Sequence, residues 1–210
     1  CVSLPPDENV SKLTSLGNGQ KEIRIIETPF ERRGTNPVKD IGLFAAYLRI
    51  LKREKPDVVL TYTIKPNLYG GLACRVRKVP YVCNITGLGA AVEEDGLMSR
   101  LLLRFYRIAM KRARCVFFQN AKDRDFMLQR GVARENHAML PGSGVNLDEH
   151  PFAAYPSEED GIVFLTVIRM IEYKGIKEYL EAVPVIHKRH PDVRFLLVGE
   201  YEEDVRAAYE

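Results

Sequence analysis

Short apolar runs recur along this chain, separated by stretches of helical period. Val58–Thr63, Pro80–Ile85, Cys115–Gln119 and His137–Leu140 are four such runs. Each is too short to be a core helix, and each reads as a strand. Between them, Pro66 to about Lys78, Leu97–Arg112 and Asp123–Gln129 read as helices. Ahead of them, Asp40–Glu54 places Leu43, Ala46, Tyr47, Ile50 and Leu51 on one helical face. Pro56 then breaks that helix. Further upstream, Cys1–Leu4 and Glu22–Glu27 read as strands, with a short helix over Asn9–Leu16 closed by Gly17. Strands joined by helix-length crossovers cannot form hairpins. They pair parallel, so the expected fold class is α/β with a doubly wound parallel sheet.

The alternation pauses at Pro141-Gly142-Ser143-Gly144 and resumes at Gly161. The segment 151–160 carries Pro151, Pro156 and a Ser-Glu-Glu-Asp run, and reads as a linker. The expected organisation is therefore a first domain over 1–150, a linker over 151–160, and the start of a second domain over 161–210. In the second domain, Ile162–Ile168 is apolar but for Thr166 and reads as a strand buried on both faces. The loop Arg169–Lys174 has a cation at each end, and a helix over 175–189 follows with Ile176, Tyr179, Leu180 and Val183 on one face. Arg194–Val198 is the next strand, followed by Gly199. The chain begins with Cys rather than Met and ends inside a helical pattern, which reads as a fragment cut at both ends.

A hydrophobic content of 46% suits a globular core, and a net charge of +3 gives no reason to expect a nucleic-acid partner. No C-x-x-C pair occurs among the four cysteines, and Cys74, Cys83 and Cys115 have apolar neighbours. They read as reduced core thiols of a cytoplasmic protein. The four histidines form no HExxH-type pair, and no run of apolar residues is long enough to span a bilayer.

Three stretches carry candidate chemistry. Arg169 and Lys174 lie after a strand and beside a helix N-terminus, a position suited to a diphosphate. Lys65 and Asn67 follow another strand, where they could anchor a polar or anionic ligand; a capping Asn and a solvated Lys is the plainer alternative. Thr86-Gly87-Leu88-Gly89 begins like a dinucleotide fingerprint, but Val92 occupies the third glycine position, and Arg107 stands where an acidic residue would close the pattern. A ligand-facing loop and a plain turn both stay open there. Separately, Arg100, Arg104, Arg107 and Lys111 recur at helical spacing beside Leu101, Leu102, Phe105, Ile108 and Ala109. That pattern fits either an anionic membrane surface or a solvated helix face.

The stretches PDVVLTYTIKPNLYGGLACR (56–75), VPYVCNITGLG (79–89), FFQNAKDRDFM (117–127), LPGSGVNLDEHPF (140–152), FLTVIRMIEYKGIKEYLEA (164–182) and FLLVGE (195–200) together resemble bacterial glycosyltransferases of family 4. Within that family the likeness is to enzymes that extend polyprenyl-diphosphate-linked oligosaccharides. The resemblance implies the GT-B fold: two Rossmann-like domains, an acceptor-side N-terminal one and a nucleotide-sugar-binding C-terminal one. It implies a retaining, metal-independent transfer from a nucleotide diphosphate sugar, UDP-linked, to a lipid-linked saccharide at the inner face of the plasma membrane. Arg169 and Lys174 would grip the donor diphosphate and act in catalysis, with Gly199 and Glu200 also on the donor side. Lys65, Asn67, Thr86, Gly87, Leu88 and Gly89 would face the acceptor. Two family features have no counterpart here: the first strand with its glycine loop, central in a sheet ordered 3-2-1-4-5-6, and a Glu-x7-Glu segment on the donor side. The neighbours of the first would either pair directly or leave a gap, and the fragment alone is expected to be inactive. The alternatives are a nucleotide-sugar epimerase of the same fold and a non-catalytic nucleotide-sugar-binding remnant.

Overall fold

The computed structural model describes residues 2–4, 23–28, 36–89, 92, 96–154, 161–170 and 174–199. The helix expected over Asn9–Leu16 lies outside them, as does Glu200. The chain divides into two compact units, 1–145 and 146–210.

In the first unit the elements alternate as the periodicity predicts. They are β1 (Val2–Leu4), β2 (Ile25–Glu27), α1 (Pro37–Glu54), β3 (Val59–Tyr62), a π-helical turn (Pro66–Gly70) that runs into α2 (Gly71–Arg77), β4 (Tyr81–Ile85), α3 (Leu97–Met110), β5 (Cys115–Phe118), α4 (Ala121–Gln129) and β6 (His137–Met139). Strands β3-β4-β5-β6 form one parallel sheet in that order. Strands β1 and β2 form a separate parallel pair, also tied by the Ser3 and Thr28 hydroxyls at 2.7 Å. Among the described residues, β1 does not pair with β3. An ion pair between Arg24 and Glu54 links the lead-in of β2 to the end of α1.

Helix α1 starts where Asn36 accepts from the Val38 and Lys39 amides, with Pro37 at the first helical position. Such a cap contributes about 1 kcal/mol. The helix ends at Lys55, which adopts a left-handed φ of 44° ahead of Pro56. Leu43, Tyr47 and Leu51 are its buried stripe, as its spacing predicts. Strand β4 is the centre of the core: Tyr81, Cys83 and Ile85 are fully buried on it. Close approach of the helical layer depends on two glycines. A Cβ at Gly71 would sit 3.3 Å from the Ala109 carbonyl of α3, and one at Gly70 would sit 3.3 Å from the Thr61 methyl of β3.

The second unit contains β7 (Val163–Val167), α5 (Ile176–Arg189) and β8 (Arg194–Val198), with the two strands parallel and in continuous register. Phe164 and Phe195 stack across the pair at 5.4 Å. The expectation that this first strand is buried on both faces is not met. Phe164, Leu165 and Val167 are exposed, because among the described residues β7 pairs only with β8 and one helix packs on the pair.

Buried ionisable groups of the first unit set its response to alkali. Burial pushes the Cys74 thiol up to about 12 and the Cys83 thiol to about 11, and raises the Tyr47 phenol to about 12. Burial raises Tyr81 and Tyr106 as well. The folded state holds these protons while the unfolded chain releases them from the ordinary values of 9.0 for Cys and 10.0 for Tyr upward. Their contribution to stability is therefore complete at neutral pH and is lost as pH rises. Urea midpoints measured across pH should be insensitive to these groups from 6 to 8 and fall steeply from about 9 upward. A midpoint that stays level to pH 11 would show the groups ionise without unfolding.

Candidate functional site

The C-terminal edge of β3 and β4 is built around one buried amide. Asn67, on the π-helical turn, is 1% exposed. Its Oδ1 accepts from the Thr61 hydroxyl of β3 at 2.6 Å, and its Nδ2 donates to the Asn84 carbonyl of β4 at 2.9 Å. Asn67 therefore does not cap the helix, and its side chain is turned into the protein, where it bridges two strands and the turn that follows the first. The extra residue per turn of a π-helix, a form common at functional sites, accompanies this inward rotation. Just before it, Thr63 adopts φ 66°, a conformation that costs a β-branched residue free energy.

Lys65 is not a solvated charge. Its ammonium lies 2.7 Å from Asp40 of α1, and the two side chains are only 11% and 14% exposed. The Tyr69 hydroxyl donates to the other Asp40 oxygen at 3.0 Å. Burial, then the hydrogen bond to Asp40 and its charge, raise the Tyr69 phenol to about 12. Lys65 and Tyr69 thus fasten the turn to α1, two helical layers joined through a single carboxylate.

The neighbouring loop divides by residue. Thr86, Gly87 and Gly89 are exposed, whereas Leu88 is 1% exposed and belongs to the core. Gly89 has φ 74°, and a Cβ there would touch Ile64 at 3.4 Å. Val92 is fully buried, and its carbonyl accepts from the Ser99 hydroxyl at 2.8 Å. The loop is thus pinned at Leu88 and Val92 and open at Thr86, Gly87 and Gly89. Asn84, two residues before Thr86, was not singled out by the sequence. Its Oδ1 is buried without a hydrogen-bond partner. Its only sequence signal is a polar side chain inside an apolar strand, at the end where the loop begins.

In the second unit, Arg169 follows β7 and is exposed; Lys174 is exposed just ahead of α5. Gly175, at the helix start, has φ 78° and no side chain with which to cap the first-turn amides. Gly199 follows β8, and a Cβ there would run into the Ile168 carbonyl. Only glycine lets the end of β8 come so near the residue that precedes Arg169. The cations, the uncapped helix start and this close backbone approach all lie at the C-terminal ends of parallel strands, the usual ligand edge of such sheets.

Helix α3 has three sides. Ser99, Leu103, Tyr106, Ala109 and Met110 are buried, which removes Ala109 from the expected apolar surface face. Leu102 is half-buried. Arg100, Arg104, Arg107 and Lys111 are exposed, and beside them Leu97, Leu101, Phe105 and Ile108 are exposed as well. Among the described residues, no helix is long and apolar enough to cross a membrane, and no group of His, Cys, Asp or Glu could hold a metal ion.

A four-stranded parallel α/β unit with loops gathered at its strand ends, followed by a second βαβ unit, defines a protein of the GT-B type. Residues 15–142 match the glycosyl transferase 4-like domain, and the chain belongs to that family. It is similar to the N,N'-diacetylbacillosaminyl-diphospho-undecaprenol alpha-1,3-N-acetylgalactosaminyltransferase of Campylobacter jejuni, at 27% identity over 99% of this chain and 57% of that protein. It is also similar to the UDP-Gal:alpha-D-GlcNAc-diphosphoundecaprenol alpha-1,3-galactosyltransferase of Escherichia coli, at 25% identity over 86% of this chain and 50% of that protein. The chain thus spans about half the length of these relatives. Among solved structures, Anabaena HepE in complex with UDP shares the fold, with a TM-score of 0.61 at 15% identity, over 97% of this chain and 62% of that one.

The buried bridge gives a direct test. Asn67→Ala would strip the partners from the Thr61 hydroxyl and the Asn84 carbonyl, and should cost about 3 kcal/mol in urea unfolding. A loss below about 0.5 kcal/mol would mean that the neighbouring groups find other partners.

Proposed function

We propose that this chain is part of a retaining, metal-independent glycosyltransferase that moves a sugar from a UDP-linked donor to a lipid-linked saccharide at the inner face of the plasma membrane. Family membership supports the reaction class. Two sequence relatives carry names that specify diphospho-undecaprenol acceptors, and HepE is described in complex with UDP. The observation that carries the donor side is the edge after β7, where Arg169, Lys174 and the uncapped start of α5 gather beside the close approach of Gly199 to Ile168. A diphosphate there would meet two cations and the positive end of a helix dipole.

The chemistry follows from where charge develops. As the bond from the sugar to the diphosphate breaks, the leaving oxygen gains negative charge. Arg169 and Lys174 attract that oxygen more strongly in the transition state than in the ground state, so they accelerate the step rather than merely tighten binding. On the acceptor side, exposed Thr86, Gly87 and Gly89 offer backbone and hydroxyl groups to a saccharide, while Lys65, Asn67 and Leu88 hold the edge in shape from inside. Arg169→Ala or Lys174→Ala, made in the intact enzyme, should each lower kcat by about 10²-fold. Unchanged turnover in both would remove them from the mechanism.

The membrane part of the reading rests on α3. Its outward side pairs four cations with Leu97, Leu101, Phe105 and Ile108, a combination that suits an anionic bilayer surface. Each cation close to such a surface contributes about 1 kcal/mol. Replacing Arg100, Arg104, Arg107 and Lys111 together with Gln should release the protein from anionic vesicles at physiological salt. Retention of the variant on the vesicles would return the stripe to an ordinary solvated face.

A further inference from the structure

At the opposite edge of the sheet from Thr86–Gly89 lies a second concavity, of about 460 Å³. Two helix-to-strand connections form it. Lys78–Pro80 leads from α2 into β4, and Lys111–Arg114 leads from α3 into β5. Parallel pairing of β4 with β5 brings these loops together, and the Arg114 amide donates to the Tyr81 carbonyl at 2.8 Å. Strand β4 separates this edge from the loop after it by about 16 Å, at the usual rise per residue.

Four cations line the concavity, Arg75, Lys78, Arg112 and Arg114, and no carboxylate does. Arg75 donates to the Ile108 carbonyl at the end of α3, which fixes its guanidinium in the wall. The Tyr81 hydroxyl donates to the Ala109 carbonyl beside it, so the floor is firm as well. Cations near helix C-termini ordinarily serve to offset the dipole and bind the last carbonyls. Arg75 does that. Among the described residues, the side chains of Lys78, Arg112 and Arg114 make no hydrogen bond and no ion pair, although they are drawn to the same opening. Lys78, Arg112 and Arg114 are exposed, and their charges around one opening give a positive potential that attracts anions. Guanidinium groups in particular match the oxygens of a phosphate through paired N–H bonds.

We infer that this concavity is a binding site for a phosphate-bearing anion, distinct from the edge assigned to the saccharide acceptor. A phosphate ester or diphosphate group fits its charge and its volume. Such a group can arrive on a lipid headgroup or on a small soluble molecule. The inference does not rest on the transfer reading, and the site can be tested without any sugar substrate.

The experiment compares the 210-residue chain with Lys78→Gln/Arg112→Gln/Arg114→Gln, which leaves Arg75 and its hold on α3 untouched. A charge-matched variant, Lys52→Gln/Lys188→Gln/Arg189→Gln, at exposed positions that belong neither to the concavity nor to the α3 stripe, controls for net charge. The probes are inorganic pyrophosphate, followed by calorimetry, and vesicles of phosphatidylcholine with or without 30% phosphatidylglycerol, followed by flotation. Circular dichroism checks that each variant stays folded. The expected result is that the cavity variant loses tenfold or more in affinity for at least one probe while the charge-matched variant loses less. Loss confined to pyrophosphate identifies a soluble phosphate ligand, and loss confined to phosphatidylglycerol vesicles identifies a headgroup. The inference is overturned if the unaltered chain binds neither probe, if the cavity variant binds both as the unaltered chain does, or if the two variants lose affinity equally.

Discussion

A polar side chain that is almost wholly out of water must find partners within the protein, and Asn67 meets that requirement in a way that organises its whole neighbourhood. Its two ends reach Thr61 on β3 and the backbone of Asn84 on β4. An unpaired amide in that position would cost a few kcal/mol, so the turn that carries Asn67 cannot drift from the two strands. Lys65 and Tyr69, before and after it on the same turn, reach outward to Asp40 on α1. One short segment is thereby bonded to two strands and to a helix. The exposed loop over Thr86–Gly89 begins two residues beyond Asn84 and inherits that rigidity from behind.

This arrangement explains which parts of the molecule were legible in its sequence. Elements were, because period 2 and period 3.6 are local signals: every described strand and helix falls within a few residues of the run that announced it. The three roles inside 65–69 were not. That Lys65 would meet Asp40, twenty-five residues earlier, depends on how α1 packs over the turn, and no spacing encodes it. Whether Asn67 points outward to a ligand or inward to a strand depends on a single rotation, which the wider π-helical turn supplies. The glycine loop was half legible. Gly87 and Gly89 declared a turn, while the burial of Leu88 became visible only once the helix layer stood over it.

The reading of Ile162–Ile168 went astray for an instructive reason. A largely apolar run reports what a strand is suited to, namely cover on both faces, and not how much cover its surroundings provide. With one partner strand and one helix among the described residues, β7 leaves Leu165 and Val167 exposed. The sequence property and the structural outcome are both real, and the distance between them measures unmet burial rather than a wrong assignment of the strand.

Helix α3 joins the two edges of the first unit. Its inner stripe packs on the sheet, so its remaining circumference is the only part free to carry other duties. At 100° per residue, positions 100, 104, 107 and 111 fall on one side of that circumference, and 97, 101, 105 and 108 on the next. Neither stripe can be moved without sacrificing the buried one, because all three share the same helical period. The last turn then delivers its chain into the cation-lined concavity, where Arg75 grips the Ile108 carbonyl from below. Ile108 contributes its side chain to the exposed apolar stripe, and its carbonyl holds Arg75, which lines the concavity. The outward face of the helix and the concavity thus meet at one residue, through the hydrogen bond from Arg75 to Ile108.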